Sequence, residues 1–265
     1  YVKTKIMNDI LNKIIEQDYS SISNKIQNSL KQKLEEIKSN GVIFGLSGGV
    51  DSVVTAYLCA NSIKDNTTAL ILPDSKISPK EETEDAIKVV DELGLNYRLL
   101  DINLIHGSYA KNLEPDDKAL GNLSARIRKN IIYYYANAKN LTVLGTSDKT
   151  EHLIGYFTKF GDGAADLLPI SSLYKNQVRG LAKYLGVPDS IIKKKSSPNL
   201  WKNHFAEIEL DASYEQIDCV LYCIFDEKIS IDDTVKRTEI DKNTVEKIYN
   251  LYKKSKHKRI TPEML

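Results

Sequence analysis

Residues 41–63 read GVIFGLSGGVDSVVTAYLCANSI: a short apolar run, a glycine-rich turn, and an apolar stretch long enough for a helix. A strand that feeds a helix through such a turn aims several backbone N–H groups at one point. The dipole of the following helix favours negative charge there. Gly48 and Gly49 let the chain turn tightly and approach a ligand, and Ser47 and Ser52 add hydroxyl donors. No Lys follows the glycines as GxxxxGK[ST] requires, and the spacing is not GxGxxG, so neither of those phosphate-binding patterns applies. Asp51 sets a carboxylate beside this anion nest. It repels a phosphate unless a cation such as Mg2+ lies between them; otherwise it is a first-turn carboxylate favoured by the helix dipole.

The pattern extends outward in both directions. Upstream, Val2, Ile6, Ile10, Ile14 and Ile15 fall at helical spacing over 2–18, and Ile22, Ile26, Leu30, Leu34 and Ile37 do so over 21–38, where Asn40-Gly41 closes the helix. Downstream, TTALILP (67–73), LNYRLLDI (95–102) and LTVLG (141–145) read as strands, alternating with helices over 50–63, 79–94 and 121–140. This alternation predicts an α/β fold, an open parallel sheet with helices on both faces and extra helices at both ends, with 1–265 as one domain. The glycine turn then lies at the carboxyl end of the first strand, where open sheets bind ligands. After Gly145 short helices mix with charged loops, a pattern that often carries function. Residues 195–204, KSSPNLWKNH, read as a mobile connection, 213–254 as two or three helices, and 74–82, with Lys, Ser and Pro, as a lid.

Bulk composition narrows the function. The chain has 265 residues, 42% hydrophobic and 28% charged, with a formal net charge of +1. That balance argues against a dedicated nucleic-acid binder. No apolar run approaches the ~20 residues that span a bilayer, and no membrane partner is expected. Cys59, Cys219 and Cys223 are odd in number and form no CxxC pair, so neither a disulfide framework nor a zinc site is expected, and a cytoplasmic setting fits.

SGGVDS (47–52) resembles the SGGxDS signature of the ATP pyrophosphatase, or PP-loop, superfamily, whose Rossmann-like fold is of the adenine nucleotide alpha hydrolase type. That resemblance implies cleavage of ATP between its α- and β-phosphates and adenylation of a substrate. GTSDKTE (145–151), GYFTKFGDGAADLLPISSLYK (155–175) and HKRITP (257–262) together resemble ammonia-dependent NAD synthetase, and the likeness runs from about 25 to 262. It implies that the carboxylate of deamido-NAD attacks ATP, that pyrophosphate leaves with magnesium, and that ammonia converts the adenylate to NAD and AMP.

The same resemblance assigns residues. Gly45, Leu46, Ser47, Gly48, Gly49, Val50, Asp51 and Ser52 would cradle ATP phosphates, with Thr146 and Ser197 as further ATP contacts. Asp51 and Glu151 would hold Mg2+, and Lys175 would reach the phosphates as a catalytic cation. Asn122, Arg126, Lys159, Asp166, His257 and Lys258 would bind deamido-NAD, with Arg126 at the nicotinate end and Asp162 beside the incoming ammonia. Members of the family are homodimers, which suits the aromatic run Tyr133, Tyr134 and Tyr135, otherwise core packing. Taken alone, Glu151, Lys175, Arg126 and Arg128 are surface positions, Thr146 is a cap, FGDGAAD is a turn and KKSKHKR is a solvated tail.

Two segments depart from the family pattern. P-[ST]-A-[DE]-L becomes Ser196, Ser197, Pro198, Asn199 and Leu200. D-E-x-[DE]-L-G becomes FAEIELDAS, with Ala206 where Asp is usual and Asp211 where Gly is usual, so any role of that Asp falls to Glu207 and Glu209. The chain has no length for the amidase domain of glutamine-dependent relatives, and free ammonia is the expected nitrogen donor. Two rivals stand beside this expectation. Another PP-loop adenylating enzyme, such as a tRNA-modifying one, often shows paired cysteines or a basic surface, and neither is present. A non-catalytic nucleotide-binding module would not need Asp51, Glu151, Asp162 and Lys175 together.

Overall fold

The computed structural model describes residues 5–201 and 204–261. Val2 and Pro262, both part of patterns read from the sequence, lie outside the described residues. The chain runs α1 (Lys5–Ile15), α2 (Tyr19–Ile37), β1 (Val42–Gly45), α3 (Val50–Ile63), β2 (Thr67–Ile71), α4 (Lys80–Leu93), β3 (Asn96–Leu99), α5 (Asn103–Ala110), α6 (Asp117–Lys139) and β4 (Thr142–Val143). There follow α7 (Lys149–Ile154), α8 (Lys175–Leu185), α9 (Asp189–Ile192), α10 (Ala206–Leu210), α11 (Tyr214–Leu221) with a π-helical turn at Tyr222–Asp226, α12 (Ile231–Thr238), α13 (Lys242–Lys254) and α14 (Lys256–Arg259).

The four strands are parallel, in the order β3-β2-β1-β4. β1 is apolar without alternation because both its faces are covered. Val42 and Phe44 pack with α2, α3, α4 and α8 on one face. Ile43, with Leu70 and Val143, packs against Ile127, Ile132 and Ala136 of α6 on the other. β1 neighbours β2 on one side and β4 on the other, so the connections leaving it diverge. The crevice at its carboxyl end is where such sheets bind ligands.

The predicted strands and helices of the sheet region are all present, with two differences. β4 is only two residues long, and from Val143 on the chain also bonds to residues 166–167: Asp166 and Leu167 donate to the Val143 carbonyl, and Gly145 donates to the Leu167 carbonyl. Helix α5 has no counterpart in the sequence pattern. Its eight residues include Gly107, and Leu104 and Tyr109 are left exposed, so no apolar stripe marks it. The segment over 74–82 is pinned at its base. Asp74, 1% exposed, accepts from the Lys76 amide and faces His106 Nδ1 at 2.7 Å, and its own amide donates to the Ser78 hydroxyl at 3.0 Å. The three cysteines are buried and form no disulfide. No helix among the described residues is long and apolar enough to cross a membrane.

A third apolar cluster joins α1, α11 and α13 to Ile154 and Tyr174. Asp218 of α11 ties this helical end to the sheet. Its carboxylate accepts from Thr150 Oγ1 at 2.5 Å, from the Asn176 amide at 2.9 Å and from Asn176 Nδ2 at 2.7 Å. The starts of α7 and α8 are thereby fixed to each other. Burial pushes the Asp218 carboxyl up to about 7, against the pull of these donors. A carboxyl raised in the folded state favours folding most at low pH, and its contribution declines as pH rises from about 4 towards about 7. Asp218→Asn is expected to lower the unfolding free energy by about 1–3 kcal/mol. Urea denaturation should also show a flatter pH dependence for the variant across that window.

Candidate active site

A cavity of about 580 Å³ opens at the carboxyl end of the sheet, a volume suited to a small ligand. The glycine turn forms one wall. Gly49 is extended and starts α3, while Gly48 turns at φ 83°, where a side chain would be strained and a Cβ would lie 2.2 Å from the Glu82 carbonyl oxygen. The Ser52 hydroxyl accepts from the Ser47 amide at 3.2 Å and donates to the Gly49 carbonyl at 3.0 Å, which holds the loop closed. Gly45, Leu46, Ser47, Gly49, Val50, Asp51, Ser52, Thr146 and Ser197 line the cavity; Gly48 shapes the turn without lining it.

Lys175, the first residue of α8, sits beneath this wall with its side chain wholly buried. Its Nζ lies 2.8 Å from both Asp51 carboxylate oxygens, 2.8 Å from Glu151 Oε1 and 3.0 Å from Asp148 Oδ2. The ammonium therefore does not project into the cavity, as a phosphate-reaching lysine would. The carboxylates around it hold it. Burial pulls its proton affinity down, but the three carboxylates outweigh burial and raise it well above the usual lysine range. The Tyr214 ring adds a face 5.1 Å from Nζ. Asp148 also caps α7, accepting from the Glu151 amide at 2.7 Å. The sequence carried a cue for this in the Asp-x-x-Glu spacing of a helix start, although Asp148 was not among the predicted ligands. Burial, with Asp148 and Asp51 adding to it, pushes the Glu151 carboxyl well up, against the pull of Lys175.

Three carboxylates face one ammonium, an excess of two negative charges when all are ionised. Asp148 Oδ2 has the Lys175 ammonium, at 3.0 Å, as its polar neighbour. Asp51 and Glu151 keep 21% and 18% of their side chains exposed, so both reach the cavity surface. An all-oxygen, electron-rich set of this kind fits Mg2+. Among the described residues no group of three or more His, Cys, Asp or Glu is spaced to hold a metal alone, so ligand oxygens would complete its shell.

The opposite wall is α6 and the loop over 157–163. Asn122 Oδ1 accepts from the Thr158 hydroxyl at 2.7 Å, and Asp162 Oδ1 accepts from the Thr158 amide at 2.9 Å. Asp162 stands in the cavity, open to it yet ringed by protein, and the thin hydration there pushes its carboxyl up. Lys129 also lines this wall, 6% exposed, with no sequence signal to mark it.

Three of the predicted deamido-NAD contacts lie outside the cavity lining. Arg126 is one residue past Ala125, and the helical step of about 100° turns it outward; its Nε and Nη2 donate to the Lys159 carbonyl at 3.3 and 3.2 Å. Lys159 Nζ lies 5.1 Å above the exposed Phe160 ring. Asp166 Oδ2 accepts from the Val143 amide at 2.8 Å, and Oδ1 accepts from the Tyr133 hydroxyl at 3.2 Å. Arg128, equally a surface position by sequence, is turned inward and donates to the Leu72 carbonyl at 2.7 Å. His257 and Lys258 line the rim, but Lys258 Nζ is spent on the Gly155 and Phe157 carbonyls at 2.7 Å each.

The segment over 194–201 covers the cavity. Lys194 pairs with Asp85 and Asn199 Nδ2 donates to Glu82, both on α4. On the other side a methyl at Gly121 of α6 would come within 2.5 Å of Leu200 Cβ. The described part of the predicted mobile connection is thus tethered at both edges; residues 202 and 203 lie outside the described residues.

The family model described as NAD synthase matches residues 22–262. The chain belongs to the NAD synthase family. An NH(3)-dependent NAD(+) synthetase of Hyperthermus butylicus is 44% identical over 95% of this chain and 92% of its own length, and one of Staphylothermus marinus is 46% identical over 94% and 92%. Among solved structures, an NH3-dependent NAD synthetase from Campylobacter jejuni superposes with a TM-score of 0.81 at 34% identity, covering 94% of this chain and 99% of that one. An NMN synthetase from Francisella tularensis gives 0.82 at 32%, with the same coverage. The match with NAD synthase also gives the altered segment a context. Asp211 ends α10 at φ 49°, the left-handed region that glycine takes freely and Asp tolerates. Glu207 caps α11, accepting from the Tyr214 amide at 2.8 Å. Glu209 faces the cavity, accepting from the Tyr156 hydroxyl at 2.8 Å and lying 2.7 Å from His204 Nε2.

Lys175→Met is expected to cost about 3–5 kcal/mol of folding free energy, because it strands three carboxylates beneath the cavity. Urea denaturation of the variant against the parent chain checks this; an unchanged midpoint would mean that the ammonium is not what holds the carboxylates together.

Proposed function

We propose that this chain is an ammonia-dependent NAD synthetase: it amidates deamido-NAD with ammonia at the expense of ATP, giving NAD, AMP and pyrophosphate. The observation that carries this is the meeting of the glycine turn, the Asp51–Lys175–Glu151 cluster and the Asp162–Asn122 wall around one cavity. High identity to NH(3)-dependent synthetases over nearly their whole length supports ammonia as the nitrogen donor.

A carboxylate does not form an amide with ammonia at a useful rate, so it must first be activated. In this proposal the turn at residues 45–52, with Thr146 and Ser197, holds ATP so that its α-phosphate faces the nicotinate carboxylate. One carboxylate oxygen bonds to the α-phosphorus as the bond to the pyrophosphate oxygen breaks, and pyrophosphate departs. Ammonia then adds to the acyl carbon, a proton is lost, and AMP leaves. Positioning and charge stabilisation are the protein's share. Asp51 and Glu151 would hold Mg2+, which supplies countercharge to the departing pyrophosphate. Lys175 keeps both carboxylates aimed at the cavity. Asp162 is proposed to attract ammonium and accept its proton, a role helped by a carboxyl whose proton affinity is raised. Asn122 and the rim residues His257 and Lys258 are proposed to border deamido-NAD.

Arg126, Lys159 and Asp166 are proposed to meet the outer part of deamido-NAD at a homodimer interface. An exposed face at the β3 edge, opposite the β4 edge where Asp166 pairs, supports the dimer itself. β3 is exposed along its length, with Leu99 at its end, and Leu104 of α5 and Tyr134 of α6 are exposed at 84% and 68%. Arg98 of β3 lies 5.1 Å above the Tyr135 ring, which joins strand and helix into one face. An apolar face on an open sheet edge calls for a cover.

Purified chain given ATP, Mg2+, deamido-NAD and ammonium should form AMP and NAD in equal amounts. Asp51→Asn, which keeps the shape and removes the charge, should lower that rate by about 100-fold or more while the circular dichroism spectrum and melting are nearly retained. Activity driven by tRNA, or ATP binding without AMP release, would favour the other readings. Light scattering should report a dimer, and the double change Leu104→Asp with Tyr134→Asp a monomer; a parent chain that scatters as a monomer would sink the interface.

A further inference from the structure

Lys129 has no part in the assignments above, and its place in the cavity is unusual. It is 6% exposed, it lines the cavity, and among the described residues it makes no hydrogen bond and no ion pair. Its neighbour Arg128 is committed to the Leu72 carbonyl and Ser124 Oγ at 2.7 and 2.9 Å. Lys129 is therefore a largely buried cation on the cavity wall with no direct contact to Asp162 or Asp166, which act on it only through their field. A methionine there would fill the space without the cost of burying charge, so packing does not explain it.

Its position says what partner it suits. Ala125, Lys129 and Ile132 lie on one face of α6, four and three residues apart. At one end of this face, a Cβ on Gly161 would come 3.0 Å from Ala125 Cβ, so the loop bearing Asp162 rests there. At the other end, a Cβ on Gly45 would come 3.3 Å from Ile132 Cδ1, so the start of the phosphate turn rests there. Lys129 lies between the two. The reading above gives the Gly45 side to ATP and sets Asp162 beside the ammonia that attacks the acyl carbon, so the acyl carboxylate belongs between them, against the α-phosphate. Both are anions, and they must meet.

We propose that the Lys129 ammonium contacts the nicotinate carboxylate of deamido-NAD at this junction, holding it against the α-phosphate and distinguishing the acid substrate from the uncharged amide product. The inference rests on the NAD synthetase reading of the cavity. Asp162 and Asp166 are the anions that face Lys129, and Arg128 is the neighbouring cation on its own helix. Burial lowers the Lys129 ammonium to about 8 in the unliganded chain, with Asp162 and Asp166 opposing the shift. The protonated form binds a carboxylate, so capture of deamido-NAD should fall as pH rises through about 8.

The test is deamido-NAD-dependent exchange between pyrophosphate and ATP, run without ammonia so that ammonium titration does not intervene, on the whole chain with Mg2+. The parent chain should lose kcat/KM for deamido-NAD above about pH 8, since this parameter reports the free enzyme. Lys129→Met should lower it on the order of 100-fold, the loss of one charged hydrogen bond, mostly through KM. It should also abolish the alkaline limb, with melting no lower than the parent. Lys129→Arg should keep the rate within about tenfold of the parent and also lack the limb, because a guanidinium stays charged. If the parent exchanges and Lys129→Met matches it in rate and pH profile, the role of Lys129 is overturned. If Lys129→Met falls but keeps the limb, the residue supports the site only by packing, and the proposal fails as well. If the parent shows no exchange with deamido-NAD, the synthetase reading itself fails.

Discussion

One buried ammonium organises this molecule. Lys175 brings Asp51 from the start of α3 together with Asp148 and Glu151 from the start of α7. Burying such a network is poor value as stability, because desolvation consumes most of the attraction. What it supplies is registry. Three helix starts are fixed relative to the sheet, and the backbone N–H groups of the glycine turn point where they must. Asp218 reinforces this one layer deeper, joining Thr150 and Asn176.

The cavity consequently has two kinds of wall. The α3 and α7 side holds more carboxylate than its single lysine neutralises. The α6 side holds the inward cations Arg128 and Lys129, with Asp162 on the same wall. A ligand that is anionic at two points and accompanied by a divalent cation complements both walls at once. The parallel sheet makes this possible, since divergence of the connections at β1 leaves the crevice unblocked.

Much of this was legible in the sequence. The alternation of apolar runs and helical stripes gave four strands in the correct places; β1 is apolar throughout because both its faces are buried, while β3 at the edge is exposed. SGGVDS carried the turn, and the motifs after Gly145 carried the family. What stayed hidden was directional. Arg126 and Arg128 read alike, yet helical phase sends one outward to the Lys159 carbonyl and the other inward to Leu72. Lys175 read as a phosphate-reaching cation, but its carboxylate partners come from elements 24 and 124 residues away in sequence. Lys258 read as a substrate contact and is held by backbone carbonyls. Helix α5 left no stripe because its apolar residues do not face the core.

The cover over 194–201 has a thermodynamic meaning of its own. It is latched by an ion pair to Asp85, a hydrogen bond to Glu82 and a close fit over Gly121, and it shares no part of the apolar clusters that hold the sheet. These few polar contacts and one close fit lie outside the apolar clusters that hold the fold. Lifting the cover is therefore a local event, uncoupled from unfolding. Molecules can exchange with the interior while the sheet, the glycine turn and the lysine cluster stay in place.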